Sequence, residues 1–160
     1  MKITIFTTGG TIDKVYFDEK SRYEIGATTV GEILREAQAT IEYELVGLMQ
    51  KDSLELDDAD RAKIRQAVAD CADDRIMVTH GTDTMTDTAA VLQGIAGKTV
   101  VLTGALSPAR FRSTDASFNV GMAIAALQVL TPGVYIAMSG EIFPAGTVRK
   151  NRECNRFERI

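Results

Sequence analysis

Two cysteines and a single histidine are few metal-binding side chains for 160 residues, and Cys71, Cys154 and His80 fall at no spacing that zinc sites use. No metal site is expected, and both cysteines are expected to be buried, reduced thiols. Cationic excess is also missing. With 18 Lys plus Arg against 22 Asp plus Glu, the formal net charge of -4 leaves no broad positive surface to neutralise phosphates or anionic lipid. Nucleic acid and membrane partners are therefore not expected. The opening Met1-Lys2-Ile3-Thr4-Ile5-Phe6 is too short for a secretory apolar region and no small-residue cleavage site follows, so the expected location is cytoplasmic. Internal repeats, linkers and low-complexity stretches are absent. Hydrophobic residues at 45% are enough to bury a core, and one domain over residues 1–160 is the expectation.

What the chain does contain is alternation. Short β-branched runs alternate with amphipathic helical stretches, the pattern of βαβ units around a mostly parallel sheet, so a three-layer α/β fold is predicted. Strands are predicted over residues 2–7, 41–48, 75–79, 99–103 and 133–138. A helix capped by Asp57 should present Ala62, Ile64, Ala67, Val68 and Cys71 inward and end near Asp73. Further helices are predicted over residues 83–95 and 115–130, with Met122 and Met138 as core filler. From residue 141 onward the composition changes: Pro144 and Gly146 precede a run of Arg, Lys, Asn and Glu that is either a solvated arm or an active-site element.

In open α/β sheets the ligand crevice lies beyond the carboxyl ends of the strands, which directs attention to polar residues just after strands. Two clusters qualify. Thr8-Gly9-Gly10-Thr11-Ile12-Asp13 leaves the first strand through glycines that let backbone amides face an oxyanion while a threonine hydroxyl faces the crevice. By itself such a loop is equally a plain tight turn. His80-Gly81-Thr82-Asp83-Thr84-Met85 follows a central strand and opens a helix, where free N–H groups attract a carboxylate. Asp83 taken alone is as readily a helix cap. Lys150 taken alone is a solvated lysine; drawn into the crevice, its ammonium would favour loss of the Thr82 hydroxyl proton while Asp83 held it. His80 is not assigned as the base, because a lone histidine before a glycine turn is more often satisfied by backbone bonds and no Ser-His-Asp set assembles around it.

Taken together, T-T-G-G-T-I-D near the start, H-G-T-D-T-M after a later strand and R-K-N-R in the tail resemble the bacterial-type L-asparaginase family, in its amino-terminal domain. The resemblance implies the flavodoxin-like, mostly parallel sheet of that domain, no cofactor, and a small amino-acid amide as substrate. It implies that Thr11 is a nucleophile that attacks the side-chain amide carbon, expels ammonia and leaves an acyl ester for water to cleave. Thr82, Asp83 and Lys150 are similar to the family's second triad. Tyr23, in Ser21-Arg22-Tyr23-Glu24-Ile25-Gly26, is similar to a mobile-loop tyrosine that contacts the nucleophilic hydroxyl, with Tyr16 as the rival. Asp52-Ser53 resembles the pair that holds the substrate's α-amino and α-carboxylate groups, although a turn before a helix accounts for it as well. Asp115 falls in a familiar segment and is given a structural role. Oxyanion donors are expected at the Gly10-Thr11 turn.

Family members usually carry a second, smaller carboxy-terminal domain, and a chain that ends at Ile160 leaves no room for one. The expectation is a homo-oligomer, at least a dimer, that closes a site otherwise open to water, where charge pairs are weak. Hydrolysis of L-asparagine is the expected activity. The alternatives are a glutaminase or amidase of other specificity, a module that binds asparagine or aspartate without hydrolysis, and a subunit of an amidotransferase.

Overall fold

The computed structural model describes residues 1–17 and 22–160. Its central sheet has six strands: β1 (Lys2–Gly9), β4 (Glu42–Lys51), β5 (Arg75–Thr79), β6 (Thr99–Thr103), β7 (Gly133–Met138) and β8 (Glu141–Pro144). The first five are parallel and lie in the order β4-β1-β5-β6-β7, with β8 antiparallel at the β7 edge. Counting only the parallel strands, the order is 2-1-3-4-5, the flavodoxin-like winding, whose switch point lies between the first and third strands. Here that point falls between β1 and β5.

Alternation within the strands makes the two outer layers. Val100 and Leu102, with Ile76 and Val78, face one side and pack on α2 (Asp58–Asp70) and α3 (Met85–Leu92). Val101 and Met77, with Ile3 and Ile5, face the other side and pack on α1 (Val30–Glu36) and α4 (Ala116–Val129). A strand buried on both faces must be apolar at nearly every position, which is why Ile76–Val78 and Val100–Leu102 read as unbroken hydrophobic runs. In α2 the expected stripe holds at Ile64 and Val68, with Ala67 and Cys71 half-buried against the core, whereas Ala62 is exposed. Asp57 caps α2 in a reciprocal capping box with Asp60.

Three strands match their predicted limits and β1 and β4 run further. The helix expected over residues 83–95 is shorter, Met85–Leu92, because Thr84 takes the cap position and Asp83 turns its carboxylate elsewhere. The expectation of two buried thiols is corrected: Cys71 is half-buried beside α2 and Cys154 is exposed in a polar turn. Met138 is fully buried and Met122 packs partly buried against the α4 side of the core.

Two small antiparallel hairpins are appended. β2 (Lys14–Phe17) pairs with β3 (Arg22–Ile25), and β9 (Val148–Asn151) pairs with β10 (Arg156–Arg159). The polar tail is thus neither core nor loose arm. Its hairpin is anchored by Phe157 and Val148, buried against the α2/α3 layer. No helix among the described residues is long and apolar enough to cross a membrane.

Candidate functional site

The switch point sets the geometry. Because β1 lies between β4 and β5, the loops leaving all three strands meet, and small residues let them touch. Gly10 has a positive φ of 89°, and a Cβ there would lie 2.5 Å from the Cα of Gly81. A Cβ on Gly81 would in turn lie 2.6 Å from the Ser53 side chain. Side chains of any size would separate the loops carrying Thr11, Thr82 and Ser53. Hydrogen bonds sew them together: Gly10 donates its N–H to the Lys51 carbonyl at 3.0 Å, Thr8 Oγ1 to the Thr79 carbonyl at 2.9 Å, and Thr84 Oγ1 to the Ser53 carbonyl at 2.8 Å. Gly10 therefore contributes shape to the expected oxyanion turn, and its amide is already used.

On the β5 side the groups predicted to converge do so. Lys150, carried by β9, donates to Thr82 Oγ1 and to Asp83 Oδ1, each at 2.8 Å. Thr82 is 5% exposed and the Lys150 side chain 13%. Arg152, which the sequence did not mark, places its Nε 3.8 Å from the same Asp83 oxygen. Asp83 is an ion-pair partner and not a helix cap.

His80 is a structural member of this loop. It is fully buried, with Nδ1 donating to the Gly81 carbonyl at 2.7 Å and Nε2 accepting from Thr88 Oγ1 at 2.8 Å. Burial, opposed by the bond to Gly81, brings its pKa down to about 4. A neutral imidazole with both nitrogens engaged has no free position for proton transfer.

On the β1 side, Thr11 opens a short 3-10 turn that leads into the β2/β3 hairpin. Thr11, Lys14, Tyr23, Pro108 and Phe111 line one hollow. Tyr23 and Tyr16 are direct cross-strand neighbours with ring centroids 5.2 Å apart, and Tyr23 also lies 5.9 Å from the Phe111 ring. Of the two tyrosines, Tyr23 is the one in the Thr11 hollow; Ser21, in the motif quoted around it, lies outside the described residues. The base of the hairpin is pinned by Asp13, whose carbonyl accepts from Gly26 and whose carboxylate accepts from the Thr29 amide and hydroxyl. Burial pushes the Asp13 carboxyl up, against the bonds from Thr29 and Thr28.

Asp52 and Ser53 behave differently from one another. Asp52 accepts from the Leu54 amide at 3.1 Å, closing the 3-10 turn Ser53–Glu55, and pairs with Lys14 Nζ at 2.9 Å. Burial works against its ionised form and is outweighed by Lys14, the Leu54 amide and Lys150, so the carboxyl lies below its ordinary range. Ser53 is buried with a hydroxyl that has no hydrogen-bond partner among the described residues. Asp115 accepts from the Leu106 and Ser107 amides and from Asn119, a loop-bracing role. Among the described residues no group of three or more His, Cys, Asp or Glu side chains is arranged to hold a metal ion. Lys14, Arg152 and Phe111 are the site neighbours that sequence reading missed. Lys14 follows the first motif directly, and that adjacency was the available signal.

Comparison with known proteins agrees with the fold and with the motifs. The family described as "Asparaginase, N-terminal" matches residues 2–158. An L-asparaginase of Thermococcus kodakarensis is 30% identical over 94% of this chain and 48% of its own length. A probable periplasmic L-asparaginase of Haemophilus influenzae is 32% identical over 92% of this chain and 46% of its own length. The solved structure of a probable cytoplasmic L-asparaginase from Campylobacter jejuni superposes with a TM-score of 0.83 at 26% identity, covering 99% of this chain and 53% of that one. The chain thus spans about half the length of the relatives it matches. With two threonine loops meeting at the switch point and the family match running through both of them, the chain belongs to the asparaginase family, in its amino-terminal domain.

Proposed function

We propose that the chain acts as an L-asparaginase, hydrolysing L-asparagine to L-aspartate and ammonia. The observation that carries this reading is the Lys150 ammonium, 2.8 Å from both Thr82 Oγ1 and Asp83 Oδ1 at the end of a central strand. An ammonium at hydrogen-bond distance favours the alkoxide over the alcohol, and a nearly buried setting keeps that interaction from being screened.

In the first half-reaction the Thr11 hydroxyl oxygen attacks the side-chain amide carbon. As the C–N bond breaks, the hydroxyl proton passes to the departing nitrogen through Tyr23, and ammonia leaves. In the second, water attacks the resulting ester carbon, the C–O bond to Thr11 breaks, and a proton returns to Thr11 Oγ1. The Thr11 amide is the oxyanion donor of its turn, since that of Gly10 is bound to Lys51. Thr82 is a substrate-contacting member of the Lys150 triad. Ser53, buried and without a partner for its hydroxyl among the described residues, serves the substrate carboxylate. No cofactor takes part. We further propose that the described fold is one functional domain, and that a homo-oligomer of at least two chains shields the Thr11 hollow, where Tyr23 and Phe111 are half-exposed. Relatives named cytoplasmic and periplasmic both occur, and the cytoplasm is our assignment.

Steady-state ammonia release from asparagine and glutamine, measured on the wild type beside Thr11→Ala, tests the reading. Expected is turnover by the wild type and a loss of ~10³-fold or more in the variant, with aspartate binding retained. Ligand binding with no ammonia from the wild type would instead favour a sensing module. A sedimenting monomer with full activity would remove the oligomer. A different amide specificity is the second reading, favoured by the ion pair between Lys14 and Asp52.

A further inference from the structure

Asp52 and Asp83 both stand in the neighbourhood of the two threonines, and each already has a cation supplied by this chain. Asp83 holds Lys150 at 2.8 Å with Arg152 at 3.8 Å, and Asp52 holds Lys14 at 2.9 Å. The second pairing carries the information. Lys14 lies three residues beyond Thr11 and lines two hollows: the one that contains Thr11, and the adjoining one that contains Asp52. Tyr23 is shared in the same way, so the two hollows have a common wall and Lys14 is part of it.

Asp52 has little left to offer a ligand. Its Oδ2 faces Lys14, its Oδ1 accepts from the Leu54 amide, and its carboxyl is held in the ionised form by these partners. An incoming ammonium must either displace Lys14 or sit beside a like charge in a partly dehydrated cleft, where such repulsion is large. Glu24 and Glu55 line the Asp52 hollow too, but Glu24 is paired with Arg22 at 2.7 Å and Glu55 is exposed, so its pull is screened. A carboxylate arriving there instead finds in Lys14 an ammonium already oriented by Asp52, and the next residue, Ser53, has a buried hydroxyl with no partner among the described residues.

Resting on the reading of the site as an asparagine-type amide hydrolase, we propose that Lys14 determines specificity. It fills at Asp52 the place of a substrate ammonium, so that the site favours amides bearing a carboxylate and no free α-ammonium, such as a dicarboxylic acid monoamide or an asparagine acylated on its amino group, over zwitterionic asparagine.

The test compares ligands that differ only in the amino group. Binding of succinate and aspartate is measured by titration calorimetry, and ammonia release from succinamate and L-asparagine is measured alongside, on the wild type, Lys14→Met and Lys14→Arg. The wild type is expected to prefer the desamino member of each pair, and Lys14→Met to move both ratios roughly tenfold or more toward the amino-bearing member. Lys14→Arg keeps the wild-type order. Asp52→Asn retains the lysine and moves the binding ratio further toward succinate. The proposal is overturned if the wild type prefers aspartate, if Lys14→Met lowers both ligands equally, or if neither diacid binds. Absence of ammonia from every amide refutes hydrolysis alone, because the calorimetric ratio still reads Lys14.

Discussion

The loops that follow β1 and β5 each carry a threonine, and the fold treats them in opposite ways. The β5 loop is locked: His80 is fully buried with both ring nitrogens bonded, Gly81 is pressed against Ser53, and Thr82 is tied to Lys150. The β1 loop opens into a hairpin whose base is pinned by Asp13 and whose Tyr23 is 50% exposed. One half of the site is preorganised to hold charge, at the cost of burying a histidine in its neutral form. The other half presents its hydroxyl beside an element that packs on little. In the proposed reaction, electrostatic stabilisation needs groups that do not reorganise and substrate entry needs something that yields, and two differently held loops would satisfy both.

The comparison is broken most directly through the locked loop. Thr82→Val and Lys150→Met are each expected to lower ammonia release by ~10²–10⁴-fold with the circular dichroism spectrum unchanged. If Thr82→Val stays fully active while Thr11→Ala is dead, the β5 loop is scaffold and the division of tasks is wrong.

The cost of locking is readable as pH dependence. His80 has a folded pKa of about 4 against an ordinary 6.5, so the unfolded chain binds the extra proton between those values. Stability from this residue is fully present above about pH 6.5 and falls as pH drops toward about 4, by about 3 kcal/mol in all. Asp13, whose carboxyl is raised by burial, acts with the opposite sign, gaining stability as pH falls through its folded value. Urea unfolding of the wild type and His80→Gln across this range isolates the histidine: the variant should lose that part of the slope, and parallel curves would show that His80 titrates as in water.

Contact between the loops is tested by Gly10→Ala. A Cβ at φ 89° and 2.5 Å from the Gly81 Cα forces the backbones apart, with an expected loss of about 1–3 kcal/mol in stability and a larger fractional loss of activity. Equal stability in a melt would mean the loops are not in contact. The smallest effect belongs to the open side. Tyr23→Phe keeps the tilted ring contact with Tyr16 and removes a hydroxyl, and turnover should slow by less than ~10²-fold. If Tyr16→Phe is the slower of the two, the tyrosines have been assigned in the wrong order.

Much of this was readable from the residues. Runs such as 99–103 and 133–138 announce strands buried on both faces, and Asp57 announces a helix start, because burial and capping are local demands that leave local patterns. The two glycine-threonine loops were also identifiable, since tight turns after strands require glycine. The hairpins were not. Lys14–Phe17 and Arg22–Ile25 are only four residues each, and the pairing of two such short strands is worth little by itself, so no periodicity records it. Asp83 read alone suggests a helix cap and Lys150 a solvated lysine, since each has that role in most chains.

The sequence by itself determined the five parallel strands, the helices α2, α3 and α4, and which loops must contain glycine. Only the tertiary structure decided which charges meet. The pairing of Lys150 with Asp83 spans 67 positions and depends on β9 being folded back against α3, and that of Lys14 with Asp52 depends on β1 lying beside β4. Strand order is set by the summed packing of two helical layers on a twisted sheet, a property of the whole chain that no local pattern carries.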